Sequence, residues 1–445
     1  MYEGKSSSLF IKYAIPQMIG LLCNSVYLIV DGVFIGNRLG REAMAAAAVA
    51  VPFIEILIAL AMAVASGAGI LISSHIGRSE KACAVKTFNK AVWLCGGMGL
   101  IIAVFGNIFL HPLATLLGST QEIHDEAVRY LWFIVTFAPF QLYSFLLGGL
   151  ARNDGRPKLA MFALAFGSFS NIVLDYVFMY PLNMGIAGAA LATALGPIFS
   201  VLILLPHFLM KKGVLRFERP CFHRAIVQRI YVLGFPSFIM EFTIGMITFV
   251  YNFAIVRNGY GELGLAAYLV IGYLMLIILT IFLGFAEGLQ PVFSYLTGTY
   301  EEERSSALRR FSVRVFLGVG LLCYALIVLF AGNFFRVFCP GDTELIAFAQ
   351  SKSLLYFSGF FLAGYNILMI SFWQSTQRTR QALAVSLMRS LIAPPLLILI
   401  LPPLFGSYII WLCHSLSELV TAGVAVAFLI SAARKSGSRM NMIRA

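Results

Sequence analysis

The sequence predicts an all-α polytopic membrane protein of about twelve transmembrane helices, built as two six-helix pseudo-symmetric lobes around a central cavity. Three observations predict it. Hydrophobic residues make up 60% of the 445 residues and charged ones 12%, roughly half the charged share of soluble domains. Apolar runs long enough to cross a bilayer recur along the whole chain. The second half also echoes the first at an offset of about 221 residues.

Hydropathy places the spans near 10–37, 43–72, 88–110, 127–150, 159–181, 185–210, 229–256, 263–297, 311–331, 345–373, 381–404 and 407–432. The first carries Asn24, Tyr27 and Asp31 at i, i+3 and i+7, all on one helix face. A carboxylate inside a span costs roughly 2.5–3.5 kcal/mol on insertion scales, so Asp31 should face protein or water. Pro16, lower in the same helix, removes a backbone hydrogen bond and lets the helix bend. A bendable helix with a buried acid suggests a moving part coupled to a cation. The competing reading is an acid that merely bonds a neighbouring helix.

The second span holds Glu55 near mid-depth, as an anionic lining or as the partner of a base such as Arg389. The fifth holds Asn171 and Asp175, an i, i+4 pair, and its hairpin partner, the sixth, holds Thr193. Asp175 and Thr193 are each nine residues from Met184 in the intervening turn, roughly 10–14 Å deep at 1.5 Å per residue. Asp31, seven residues before Arg38, reaches a comparable level. Asp31, Asn171, Asp175 and Thr193 therefore offer hard oxygen donors at one depth, suited to a proton or a small cation such as Na+. Two neighbouring acids in apolar surroundings resist carrying two charges, which favours proton uptake. The seventh span holds Glu241, the eighth Glu287, the eleventh Arg389 and the twelfth Glu418. For Glu287 and Glu418, helix-to-helix hydrogen bonding and cavity lining weigh equally. His75 and His414 read as lone structural histidines, and Glu301–Glu303 before Arg304 as a solvated turn.

The net charge of +12 is a topology signal. Almost all Lys and Arg fall at the termini, in the central stretch from Lys211 to Arg229, and in the loops on that same side, Arg152 and Arg156 among them. The positive-inside rule then puts both termini in the cytoplasm of a cell whose inner membrane the chain crosses. Nucleic acid is not an expected partner. The seven cysteines contain no C-x-x-C pair, which argues against a disulfide framework or metal cluster. The first apolar run is too long for a cleavable signal peptide and lacks a small-residue cleavage site.

Gly40, Ala45, Gly67 and Gly77 recur as Gly261, Ala266, Gly288 and Gly298, and Arg156 recurs as Arg378. An even number of spans per unit makes these parallel repeats, a construction whose halves rock about a shared cavity. The expected division is 1–210 and 229–445, joined by a basic linker at 211–228. Asp31 answers to Asn252, Asn171 to Ala393 and Asp175 to Leu397, so the coupling ion is expected in the first half.

The stretches VDGVFIGNRLG, RNDGRPKLA, NIVLDYVFMYPLNMGIAGAALATALG and GLQP resemble the multidrug and toxic compound extrusion (MATE) family, nearest its bacterial DinF-like branch. The resemblance covers nearly the whole chain. It implies an exporter of organic cations and other amphipathic compounds, driven by inward proton or sodium movement, with no cofactor beyond that ion. It implies ion-linked roles for Asp31, Asn171, Asp175 and Thr193, and first-helix bending at Pro16 and Tyr27; Asn24 stands where some relatives have Gln. Glu55, Glu241 and Glu287 are candidates for the substrate cavity. Lipid and small amphipathic or cationic substrates are the expected partners, and a monomer the expected state. Three other readings compete, one of them a channel, which saturable, gradient-coupled flux would exclude. A lipid-linked glycan or polysaccharide flippase of related fold would need a strongly cationic cavity, whereas acids outnumber bases within these spans. An enzyme would need a motif such as H-E-x-x-H or a phosphate loop, and neither occurs.

Overall fold

The computed structural model describes residues 4–218, 224–338 and 342–444. Arg219, Cys221 and Cys339 lie outside the described residues, as do the side chains of Arg41, Arg434, Lys435, Arg439 and Arg444. Every described element is helical. In chain order they are α1 (Ser6–Leu39), α2 (Arg41–Gly77), α3 (Lys81–Ile108), α4 (Leu110–Leu116), α5 (His124–Thr136), α6 (Ala138–Asn153), α7 (Pro157–Met179) and α8 (Ile186–Leu209). There follow α9 (Arg224–Arg257), α10 (Gly261–Gly298), α11 (Glu302–Phe338), α12 (Thr343–Tyr356), α13 (Phe360–Ser375), α14 (Thr379–Leu387), α15 (Ala393–Phe405) and α16 (Ile410–Arg444). A π-helical turn, Met388–Ile392, joins α14 to α15.

Among the described residues, ten helices are long and apolar enough to cross a membrane, and twelve if each of two bent pairs is one span. Each span matches one expected from hydropathy. The bent pairs were not expected, and each has a local cause. Between α5 and α6 the axis turns by 47°. Pro139 has no N–H to return to Val135, so the ladder breaks there, and Asn107 of α3 donates to the Thr136 hydroxyl at 3.1 Å. Between α12 and α13 the turn is 49°. There Ser415 of α16 repairs the break: its hydroxyl donates to the Tyr356 carbonyl at 2.8 Å and accepts the Gly359 N–H at 2.7 Å. Ser415→Ala leaves that N–H without this acceptor in a part-buried place, a cost of about 1 kcal/mol, and should lower the thermal unfolding midpoint in detergent.

The two breaks fall at matching places in the two halves, and the repeat is written into the backbone elsewhere. Left-handed residues occur in register: Gly40 (φ 88°) with Gly261 (54°), Ser79 (63°) with Tyr300 (60°), Gly155 (79°) with Gln377 (58°), and Gly185 (62°) with Gly406 (94°). A residue in this conformation ends a helix and reverses the chain, and glycine takes it without a Cβ penalty.

The chain divides into two compact units. The first comprises Met1–Phe242, Leu283–Ser306 and Ser375–Gln377, and the second Thr243–Phe282, Ala307–Gln374 and Arg378–Ala445. The first unit thus takes in one end each of α9 and α10. A Cβ on Gly234 of α9 would run into the Ala63 carbonyl of α2, and one on Gly288 of α10 into the Tyr13 carbonyl of α1. Glycine at these positions lets backbones touch, as small residues do between membrane helices.

Among the described residues, two apolar cores lie in the first unit. One gathers Phe88, Leu146, Leu150, Ala163, Leu204 and Phe208. The other lies nearer the ends of the α1–α2 and α7–α8 hairpins, around Ile35, Ala46, Leu131, Met179 and Ala189. The start of the basic linker is pinned rather than loose. Buried Asp154 accepts the Val214 N–H at 2.8 Å while His207 Nε2 lies 2.8 Å from its other oxygen, and Asn89 takes the Glu218 N–H at 2.8 Å. In the turn before α11, hydrogen bonds from Arg304 and Thr299 hold the Glu301 carboxyl below its usual range.

Candidate cation and substrate site

α7 and α8 form a hairpin whose inner faces carry small residues, and α1 lies along α7. A Cβ on Gly167 would meet the Gly196 carbonyl oxygen at 2.7 Å, so these two helices cross nearly backbone to backbone. One turn further toward the hairpin's loop this closeness holds Asn171 and Asp175 of α7, 2% and 0% exposed, against Thr193 of α8 and Asp31 of α1, itself 8% exposed. The four residues placed at one depth by spacing do converge.

The Asp31 and Asp175 carboxyls face each other within hydrogen-bond reach. That contact forms only if one of them holds a proton. Asp31 Oδ1, both Asp175 oxygens, both polar atoms of Asn171 and the Thr193 hydroxyl are buried and take no hydrogen bond from the protein. Buried polar atoms are almost always satisfied, so these atoms are open to a ligand from outside the chain. The set of two carboxylates, an amide and a hydroxyl is all-oxygen and hard. It suits a proton shared between acids, or Na+.

Asn24 and Tyr27 of α1 lie beside this group. With Asn171, Thr193, Ser168, Ser200 and Gln141 they line a narrow cleft. The Tyr27 ring stands near Asp31, Asp175 and Glu55. Pro16 is buried within α1, which runs unbroken through it. Tyr130 of α5 is a member of the site that sequence reasoning missed. Its buried hydroxyl lies next to Thr193 and close to both acids, yet a single Tyr in an aromatic-rich span gives no periodic signal.

A family model described as MatE matches residues 16–177 and 236–399, two blocks in the register of the internal repeat. The chain is a member of the MatE family. The Multidrug export protein MepA of Staphylococcus saprophyticus is 25% identical over 422 residues, covering 92% of this chain and 91% of that protein. MepA of Staphylococcus haemolyticus is 26% identical, covering 96% and 94%. Among solved structures, a multidrug resistance MATE family transporter of the MOP superfamily in an outward-facing conformation superposes with a TM-score of 0.91 at 23% identity, covering 98% of this chain and 97% of that one. A MATE crystal structure in the bent conformation superposes with a TM-score of 0.88 at 23% identity, covering 98% and 97%. This MatE-family chain is therefore a multi-pass membrane protein with the fold of these transporters.

Elsewhere in this MatE-family protein the charged residues sort differently from the expectation. Arg152, counted with the loops, lies at the buried end of α6. It donates to Gln17 Oε1 at 2.7 Å and lies 3.5 Å from Glu287 Oε2, while Gln17 Nε2 donates to the same Glu287 oxygen at 2.7 Å. Glu287 is thus held by two helices. Glu241 lies within the electrostatic reach of Glu287 and Glu55, so the three candidate cavity acids belong to one neighbourhood of the first unit. Arg389 is engaged by Glu418, at 2.9 Å, rather than kept for Glu55.

The second unit has its own polar cluster. The π-helical turn carries Arg389 inward to Glu418, which also accepts from Asn366 at 2.7 Å. His414 is not a lone residue: its ring stacks on Tyr356 at 4.6 Å, and its Nε2 lies 3.9 Å from Glu418. By the repeat, Arg389 stands where the first half has Gly167, and Ser417–Glu418 stand level with Gly196. Where one half brings two backbones together, the other inserts an ion pair.

Proposed function

We propose that this protein is a secondary antiporter that exports amphipathic or cationic small molecules in exchange for protons or sodium ions. The observation that carries this reading is the group Asp31, Asn171, Asp175 and Thr193, with its buried oxygens free of protein partners. An ion entering this group alters how α1 sits against α7, and α1 carries Asn24 and Tyr27 of the adjoining cleft. Coupling requires that ion and cargo favour different states of that cleft. A relative named for its bent conformation and another named for its straight one fit a mobile first helix, with Pro16 as the place where it yields. The curated relatives named as multidrug exporters support the substrate class.

In this reading the protein works as a monomer in the cytoplasmic membrane, with both termini and the 211–228 linker inside and lipid as its surroundings. Residues 1–210 and 229–445 are its two rocking halves. No cofactor is needed beyond H+ or Na+. The glycan-flippase alternative is disfavoured by the acids Glu55, Glu241 and Glu287 in the first unit's interior.

The test is efflux of a fluorescent organic cation from proteoliposomes under a proton gradient and, separately, a sodium gradient. Export driven by one gradient and not the other names the ion. Transport of several cations indifferent to both gradients would sink the antiport reading.

A further inference from the structure

At the end of α2 the chain turns sharply into α3. Ser79 takes φ 63°, the Glu80 N–H bonds back to the His75 carbonyl at 2.8 Å, and the Cys83 N–H bonds to the Glu80 carbonyl at 3.0 Å. The turn therefore fixes the backbone under a His-x4-Glu-x2-Cys sequence whose donors converge. His75 Nδ1 lies 2.6 Å from Glu80 Oε2, and one donor atom from each of His75, Glu80 and Cys83 lies within 4.8 Å of the other two. We propose that this turn is a binding site for a zinc-class divalent cation.

The chemistry follows from the donor set. Imidazole nitrogen, thiolate sulfur and carboxylate oxygen are the three ligand types of protein zinc, and a hard cation such as Mg2+ or Ca2+ would not choose a thiolate. At ordinary bond lengths of about 2.0–2.3 Å the ligands of a tetrahedral zinc stand roughly 3.3–3.7 Å apart. Side-chain rotation within a group already inside 4.8 Å reaches this spacing with the backbone still. The present His75–Glu80 contact opens as the cation takes its place, and a fourth position remains for water. The nearest base in the turn, Arg78, lies over the Tyr300 ring at 5.9 Å. Lys81 is exposed, and Lys86 is one helical turn on from Cys83. The charge distribution places this turn on the cytoplasmic side, where a thiol stays reduced and able to ligate. Binding would tie the last turn of α2 to the first turn of α3 and so raise stability in proportion to occupancy.

The experiment uses the full chain purified in detergent and titrated with Co2+ as an optical probe, then with Zn2+ in competition. One equivalent of Co2+ should give a thiolate-to-cobalt absorption band that Zn2+ abolishes. Cys83→Ser should remove the band, and His75→Gln should weaken binding by at least about tenfold. Zn2+ should also protect Cys83 from alkylation, read by mass spectrometry, and raise the unfolding temperature of wild type but not of Cys83→Ser. All three side chains are at least partly exposed, so these variants keep the fold. No band in wild type, or a band that survives in Cys83→Ser, overturns the proposal.

Discussion

Replacing either Asp31 or Asp175 by Asn should abolish gradient-driven export, leaving efflux at the level of protein-free vesicles, while the protein still folds and elutes as a single species. The two substitutions preserve volume and remove only the carboxylate's charge and its ability to give up a proton. Because the carboxyls face each other, neither can do the other's work alone. One carboxyl opposite an amide keeps a hydrogen bond but loses the second charge that holds a cation or a shared proton. Asn171→Ala and Thr193→Val remove neutral donors and should weaken coupling less, appearing as a higher ion concentration for half-maximal export. The stability cost of Asp→Asn should be small, since Asp31 Oδ1 and both Asp175 oxygens have no protein donor to lose and the new amide can donate to the facing carboxylate. Full coupling in both Asp→Asn variants would refute the assignment of this group as the ion site.

The second large effect is on stability. Arg152→Met leaves the part-buried Glu287 carboxylate with Gln17 as its bonding partner among the three, and should cost about 1–3 kcal/mol. The unfolding midpoint in detergent should fall accordingly. Adding Glu287→Met to that variant should recover most of the loss, because an apolar pair of similar volume needs no compensation. The contrast matters more than either value. If the double variant is no better than the single, the arginine acts through packing rather than charge.

The spans were legible because a bilayer imposes a length on any helix that crosses it, and each expected run became a helix or a bent pair. The acid cluster was legible for a related reason. Asn171 and Asp175 share a face by spacing, and a hairpin turn measures depth for both of its arms. Tyr130 was not, because its helix has no polar stripe and its position depends on how α5 packs. The breaks at Phe137 and Phe357–Gly359 were hidden too. The second is set by Ser415, more than fifty residues away in the chain. Arg152 was misplaced because charge counting assigns a residue by nearness to a loop, whereas a side chain in a helix's last turn can reach back inside. Arg389 met Glu418 through a π turn, which shifts the register on which helical spacing rests.

The unlike fates of one repeated position have a mechanical consequence. Gly167 and Gly196 give the first half a close crossing of two backbones, latched by a neutral bond from the Ser200 hydroxyl to the Ala163 carbonyl at 2.9 Å. Arg389 and Glu418 give the second half a dowel, which must be pulled out of its socket before the same helices shift. In the antiport proposed above, work supplied at Asp31 and Asp175 acts one to two helical turns from this neutral crossing between α7 and α8. The matching place in the second half is doweled by charge, so the two copies of one duplicated joint are latched differently, one by a neutral hydrogen bond and the other by an ion pair.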